Sequence, residues 1–291
     1  MAEISASAVK ELRDKTGAGM MDCKRALADA EGQLEKAVEL LRERGLAKAT
    51  QRQGRATSEG TVAMALREGE GALVEVGCET DFVAKTDDFQ ALARGLAEGV
   101  AADAALASPE AVLAASLAGG SGDELVRGAV GRLGENVELK RVGRLTVEGA
   151  GCVGGYVHAG GKLGVLVALG TPADTDGVAA LAKDLAMHVA AADPTPQAVD
   201  EQGVSAEFLD RERELFRRQA EQEGRPEQVL DRIVEGRVAK LKKEICLLDQ
   251  PFVKDPDKSV RQLLTEAQDR LGEQVVVQGF VRFKLGESPE A

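Results

Sequence analysis

The chain has 291 residues and a net charge of −12, from 37 Lys and Arg against 49 Asp and Glu. That balance excludes nucleic-acid binding through bulk charge, and seven Phe, one Tyr and no Trp leave little for base stacking. With 44% hydrophobic and 30% charged residues, the chain can bury a real core and is long enough for two domains.

The first residues, MAEISASAVKELRDK, lack a basic start followed by an apolar run, and no apolar stretch is long enough to span a membrane. The expectation is a cytoplasmic protein. Its cysteines, at 23, 78, 152 and 246, form no C-x-x-C pair, and there are only two histidines, so no zinc site is expected, and no residue is assigned to a metal.

Residues 4–45 read as three short helices. Val9 and Leu12 mark the first, which stops at TGAG; Cys23, Ala26, Leu27 and Ala30 stripe the second; Leu34, Val38 and Leu41 stripe the third, with Gly45 as its C-terminal cap. So small a core suits an adaptor for a partner. Residues 46–59, LAKATQRQGRATSE, read as a locally basic, partly helical linker.

An internal repeat follows. GALVEVG (71–77) matches GVLVALG (164–170), and FQALARGLAEGVAA (89–102) matches VAALAKDLAMHVAA (178–191). Each copy reads strand, turn, strand, loop, helix, which predicts an α+β protein whose core is two similar subdomains with antiparallel sheets. From Gly77 to Phe89 is twelve positions but from Gly170 to Val178 only eight. The first copy therefore carries four extra residues, in CETDFVAKTDD, and a longer loop beside a matched partner is where function is sought.

Residues 109–140 read as helical, PEAVLAASLA and then DELVRGAVGRLGENVELK with a turn at GGSG, and 141–148 as a strand. Two charged helices follow over 204–248, the second striped by Leu230, Val234, Val238, Leu241, Ile245 and Leu248, with Gly224 and Pro226 at the turn between them. This is an inserted helical hairpin, a coiled coil through which dimerisation is conceivable. A helix, SVRQLLTEAQ, and a strand, EQVVVQGFVRFKLG, complete the chain. The expected division is 1–55 for the three-helix domain and linker, 56–142 for the first core subdomain, 143–199 and 250–291 for the second, and 200–249 for the arm.

GAGCVG (149–154) fits the dinucleotide fingerprint G-x-G-x-x-G, but a hairpin rather than a helix is expected after it. GGKL (160–163) fails as a phosphate loop, because Leu163 stands where Ser or Thr is needed and Tyr156 where the first Gly belongs. Cys78 with His188 is a conceivable nucleophile and base, set against a buried thiol and a packing histidine with no third group to orient them. Asp81 and Phe82 read two ways: a helix cap and a core plug, or a carboxylate beside an aromatic anchor that binds a protein. His188 is likewise either structural or a contact.

LRDKTGAGMMDCKRAL (12–27) and VEVGCETDFVAK (74–85) resemble the two signature stretches of the bacterial elongation factor Ts family. The resemblance runs on through GENVELKRV (134–142), the His188 helix, the charged hairpin, QPFV (250–253) and GFVRFKLGE (279–287), and so covers nearly the whole chain. It implies a guanine-nucleotide exchange factor for elongation factor Tu, with no cofactor, no covalent chemistry and no direct nucleic-acid contact. It also implies a ubiquitin-associated-like first domain. The T-D-F-V stretch, which in the family intrudes near the partner's magnesium site, maps onto Thr80, Asp81, Phe82 and Val83. The family's helix histidine and its neighbour map onto His188 and Met187, facing the partner's phosphate-binding side. Docking of the first domain makes Lys10, Arg13, Met20 and Met21 contact candidates.

Two departures stand out. Gly77 replaces a common Asn, which suggests a loop starting with a freer backbone, and the tail past Glu287 is short. Two other classes remain open: an adaptor acting through the three-helix module alone, and a nucleotide-using enzyme built on GAGCVG.

Overall fold

The computed structural model describes residues 4–173 and 176–287, apart from the side chains of residues 46 and 48. The short tail past Glu287 lies outside the described residues. The chain opens with α1 (Ala6–Thr16), α2 (Met20–Asp29) and α3 (Leu34–Arg52). Ser5 caps α1 by accepting from Ala8 N–H, and Gly17 ends it in the left-handed region at φ 67°. Val9, Leu12, Cys23, Ala26, Leu27 and Ala37 form the small core of this bundle.

Gly45 is not the end of the third helix. α3 continues to Arg52 and takes in half of the expected linker. The reason is tertiary: a Cβ placed on Gly131 would stand 2.8 Å from the Gly45 Cα, so the two helices cross backbone to backbone there. Glycine at 45 serves close approach rather than chain reversal.

The first repeat unit and its additions comprise β1 (Glu59–Arg67), β2 (Glu70–Cys78), α4 (Asp81–Ala84), α5 (Asp87–Ala102), α6 (Pro109–Ala114), β3 (Ser116–Leu117), β4 (Gly120–Ser121), α7 (Gly122–Leu133) and β5 (Val137–Thr146). The helical reading of 109–140, with its turn at GGSG, needs correction beyond Leu133. α6 gives way to the two-residue hairpin β3–β4, α7 starts on a Ser121–Glu124 capping box, and Gly134 at φ 81° ends it. The return strand therefore begins at Val137, and the expected boundary at 142/143 falls inside β5.

The second half comprises β6 (Gly151–Val157), β7 (Leu163–Gly170), α8 (Asp176–Ala191), α9 (Ala206–Gln222), α10 (Glu227–Ile245), β8 (Pro251–Phe252), β9 (Asp255–Ser259), α11 (Val260–Leu271) and β10 (Val276–Lys284). Leu209, Val234 and Val238 close the seam between α9 and α10. Leu241 is only partly buried, and Leu248 lies beyond the helix in a 3-10 turn. The arm leaves and re-enters the core side by side, with Leu247 N–H on Ala198 O (2.9 Å) and Leu248 N–H on Val199 O (3.0 Å).

The two three-stranded antiparallel sheets run β1-β2-β5 and β10-β7-β6, so each hairpin gains a third strand against its second member. Side chains alternate along β2: Ala72, Val74 and Val76 face the core shared with α5, while Leu73 faces the other sheet. β7 does the same, with Val165, Val167 and Leu169 toward α8 and Leu166 and Ala168 inward. The result is two sheets stacked through Val62, Leu73, Val153, Leu166 and Phe283, with helices outside.

The repeat reaches further than its sequence match. β5 bulges at Lys140, opposite Glu75 and Val76; β10 bulges at Gln278, opposite Ala168 and Leu169, the repeat-equivalent positions. Each bulge side chain lies over a repeat-equivalent glycine. A Cβ at Gly77 would meet Lys140 Cε at 2.6 Å, and one at Gly170 would meet Gln278 Nε2 at 2.3 Å. Gly77 therefore sits within β2 and makes room for a bulge; it does not loosen the loop that follows.

Candidate functional site

The four extra residues of the first repeat lie where α4 forms, a single turn just past the end of β2. Thr80 is its N-cap, with Oγ1 accepting from Val83 N–H at 3.4 Å. Thr86 caps α5 in the same way through Phe89 N–H at 3.3 Å. Asp81 caps neither helix; its carboxylate pairs with Lys85 Nζ at 2.7 Å. That hydrogen bond, with the further positive charge of Lys162, holds the Asp81 carboxyl below its usual range. Val83 packs on the core and Ala84 is buried, so the turn is anchored from below. Phe82 does not plug the core. It is 80% exposed, more than any other large hydrophobic residue among those described.

Lys162 comes from the β6–β7 turn, the failed phosphate-loop motif. Its ammonium pairs with Glu59 at 2.5 Å, and this bond raises its pKa, with Asp81 adding to the effect. Leu285 N–H reaches Lys162 O at 2.9 Å and Val62 N–H reaches Gly161 O at 2.6 Å, so both sheets hold this turn beside α4. In the sequence Lys162 belongs only to a misfit motif; its real place depends on the stacking of the two sheets.

His188 is fully buried in the last turn of α8. Val253 N–H donates to its Nδ1 (3.2 Å), which leaves Nε2 as the donor to Gln250 Oε1 (3.0 Å). Gln250 Nε2 in turn donates to Pro194 O (2.8 Å) and Glu244 O (2.6 Å). Burial lowers the histidine pKa, so the ring is neutral in this network. Val253 at the rim is 38% exposed and Met187 is partly buried. The ring thus fastens the QPFV segment to α8 and presents none of its own surface.

Cys78 donates its thiol to Thr80 O at 3.1 Å, and burial, with the charge of Glu135, pushes its pKa up to about 11. A protonated thiol bound to a carbonyl and a histidine saturated elsewhere do not form a nucleophile–base pair. GAGCVG runs into β6 with no helix after it, so the dinucleotide geometry is absent there. Among the described residues no cluster of His, Cys, Asp and Glu fit to hold a metal is found.

Lys10, Arg13, Met20 and Met21 are all exposed on the helical bundle, the methionines at 60% and 63%. The α1–α2 turn that precedes the methionines lies against the core: a Cβ on Gly17 would stand 3.1 Å from Arg132 Cδ and 4.0 Å from Asp88 Oδ2. Asp88 lies in the first turn of α5, which begins three residues after α4 ends. Exposed apolar groups on the bundle and on α4 therefore flank one junction, while Met187 and His188 belong to the other sheet's helix.

The family model described as elongation factor TS matches residues 79–287. The chain belongs to the elongation factor Ts family. It is 44% identical over 290 residues to an elongation factor Ts of Clostridium perfringens, covering 99% of this chain and 94% of that relative. Elongation factor Ts of Prosthecochloris aestuarii is 44% identical over 294 residues, covering 98% of this chain and all of the relative. That of a Nitratiruptor species is 41% identical over 293 residues, covering 99% of this chain and 94% of the relative. The matched region spans α4, α8, the arm and β10, and no helix among the described residues is long and apolar enough to cross a membrane.

Proposed function

We propose that this protein is the cytoplasmic guanine-nucleotide exchange factor for elongation factor Tu, and that it works by mechanical displacement without covalent chemistry. The observation that carries this reading is Phe82: an aromatic ring held 80% in solvent on a short, capped, core-anchored turn, beside the ionised Asp81. A buried anchor residue is what a protein interface needs, and a rigid mount lowers the entropy lost on docking.

The partner holds its nucleotide through backbone amides, a lysine and a magnesium ion bridging the phosphates. In this mechanism Phe82 enters an apolar slot and shifts the segments that support the magnesium ligands. Asp81 rearranges polar groups near that ion, and Thr80 and Val83 hold the turn's two ends. Removing the cation uncovers phosphate charge and loosens the nucleotide. His188 acts from inside, holding Met187 and Val253 in register on a second contact face. Lys10, Arg13, Met20 and Met21 supply a third, on the three-helix module.

Reciprocity requires that whatever loosens nucleotide binds the empty partner more tightly. A 10⁴-fold shift takes about 5.5 kcal/mol of differential binding, too much for one side chain and suited to a footprint across modules. Stopped-flow release of fluorescent GDP from elongation factor Tu tests the proposal. The chain is expected to accelerate release, and Phe82→Ala to do so much less while remaining folded. No acceleration by the unmodified chain with a matched partner overturns it.

A further inference from the structure

Two acidic side chains bind the segments 79–80 and 135–136 to each other reciprocally. Glu135 accepts the backbone N–H of Thr80 at 2.9 Å, and Glu79 accepts the backbone N–H of Asn136 at 2.6 Å. Each carboxylate thus takes the amide of the residue that follows the other. Asn136 is buried and passes the connection on, donating Nδ2 to Arg55 O at 2.8 Å, where the chain enters the first sheet.

Glu135 makes a second bond that bears on function. Its other oxygen accepts the Thr80 hydroxyl at 2.6 Å. A hydroxyl has one hydrogen. Once that hydrogen is given to Glu135, the Thr80 oxygen has only lone pairs left to offer, and one of them faces Val83 N–H at 3.4 Å. The carboxylate therefore sets the direction of the cap that starts α4, and Phe82 is the second residue of that turn. With four residues, α4 has too little internal hydrogen bonding to hold its own orientation.

We propose that Glu135 is a positioning residue for exchange: it aims Phe82 from behind, through Thr80, without touching the partner. This rests on the exchange reading above. It assigns a role to the stretch GENVELKRV, whose Glu135 and Asn136 lie at the end of α7 while the turn they hold lies at the end of β2.

The test uses the full chain with Glu135→Ala, Glu135→Gln, Phe82→Ala and the double variant Phe82→Ala/Glu135→Ala. GDP release from elongation factor Tu is followed against concentration of each. A misaimed ring is expected to lower the maximal release rate by about ten- to a hundred-fold, with little change in the half-saturating concentration. Glu135→Gln keeps the volume and one acceptor oxygen, so its loss is expected to be smaller. The double variant is expected to be no slower than Phe82→Ala alone. Multiplying losses, or a raised half-saturating concentration with an unchanged maximal rate, would overturn the assignment.

The chain contains no Trp, so Phe82→Trp provides a single reporter that needs no partner. Its fluorescence anisotropy decay is expected to gain a fast component when Glu135→Ala is added, in a chain that keeps its far-UV spectrum and a cooperative unfolding transition well above the assay temperature. An identical decay with and without Glu135 refutes the positioning role even if the exchange reading stands. If Phe82→Ala exchanges at full rate but the decay responds to Glu135, the exchange reading of Phe82 fails, and with it the role of Glu135 in exchange.

Discussion

Val253 donates its backbone N–H to Nδ1 of His188 at 3.2 Å, and that one bond settles which ring nitrogen carries the proton. The buried ring is neutral, with a pKa held below its ordinary 6.5 by burial. As pH falls through that ordinary value the unfolded chain takes up a proton that the folded ring refuses, so stability present above about pH 6.5 is lost below it. Thermal unfolding at about pH 7.5 and 5.5 is expected to show a decline that His188→Asn lacks. At the higher pH the variant is expected to be less stable by about 2–4 kcal/mol, because Gln250 and Val253 lose partners in a buried place. An equal pH dependence in both proteins would show that His188 is not the group responsible.

The Gly45–Gly131 crossing joins the helical bundle to the core. Gly131→Val must push α3 away from α7, since its Cβ alone would stand 2.8 Å from a backbone carbon. Denaturant unfolding is expected to show a loss of about 1–3 kcal/mol, and proteolysis to cut more readily around residues 46–56. A variant as stable and as resistant as the unmodified chain would mean the crossing is not close in solution.

Glu75 is buried at 2% exposure and paired with Arg141 at 2.5 Å, while its other oxygen accepts Gly286 N–H at 3.1 Å. Arg141 also bonds Lys284 O at 2.6 Å and lies over the Phe283 ring at 4.5 Å. Glu75→Ala leaves a partly buried guanidinium without its carboxylate and frees the residues after β10. Chemical denaturation is expected to register a loss of about 3–5 kcal/mol. Replacing the pair together, by Glu75→Leu with Arg141→Met, is expected to recover most of it.

Asp81 is half-exposed and pairs with a surface lysine four residues on. Exposed pairs of this kind add little to stability. Asp81→Asn is therefore expected to leave the melting temperature nearly unchanged, yet to slow GDP release severalfold. Full exchange activity in this variant would confine the work of the turn to Phe82.

The repeat, the two hairpins, the three short helices and the arm were legible because each is written in local pattern: period two in the strands, three to four in the helices, glycine at the turns. The extra length before α5 also pointed to the segment that holds Phe82. Where local reading misled, a distant residue had taken over. Gly45 resembles a cap until Gly131 arrives against it, and DELVRGAVGRLGENVELK resembles one helix until Gly134 and the β2 edge draw off its end as β5.

Local pattern was enough to say which elements form, that they repeat, and which family the chain resembles. It could not say that Phe82 faces solvent while His188 is enclosed, or that Gly77 admits a bulge residue. Glu135 reaches Thr80, and Lys162 reaches the neighbourhood of Asp81, only in the assembled fold. The physical reason is range: helix and strand propensities act over a few neighbours, whereas burial and the pairing of a carboxylate with an amide 55 residues away exist only once the sheets have stacked.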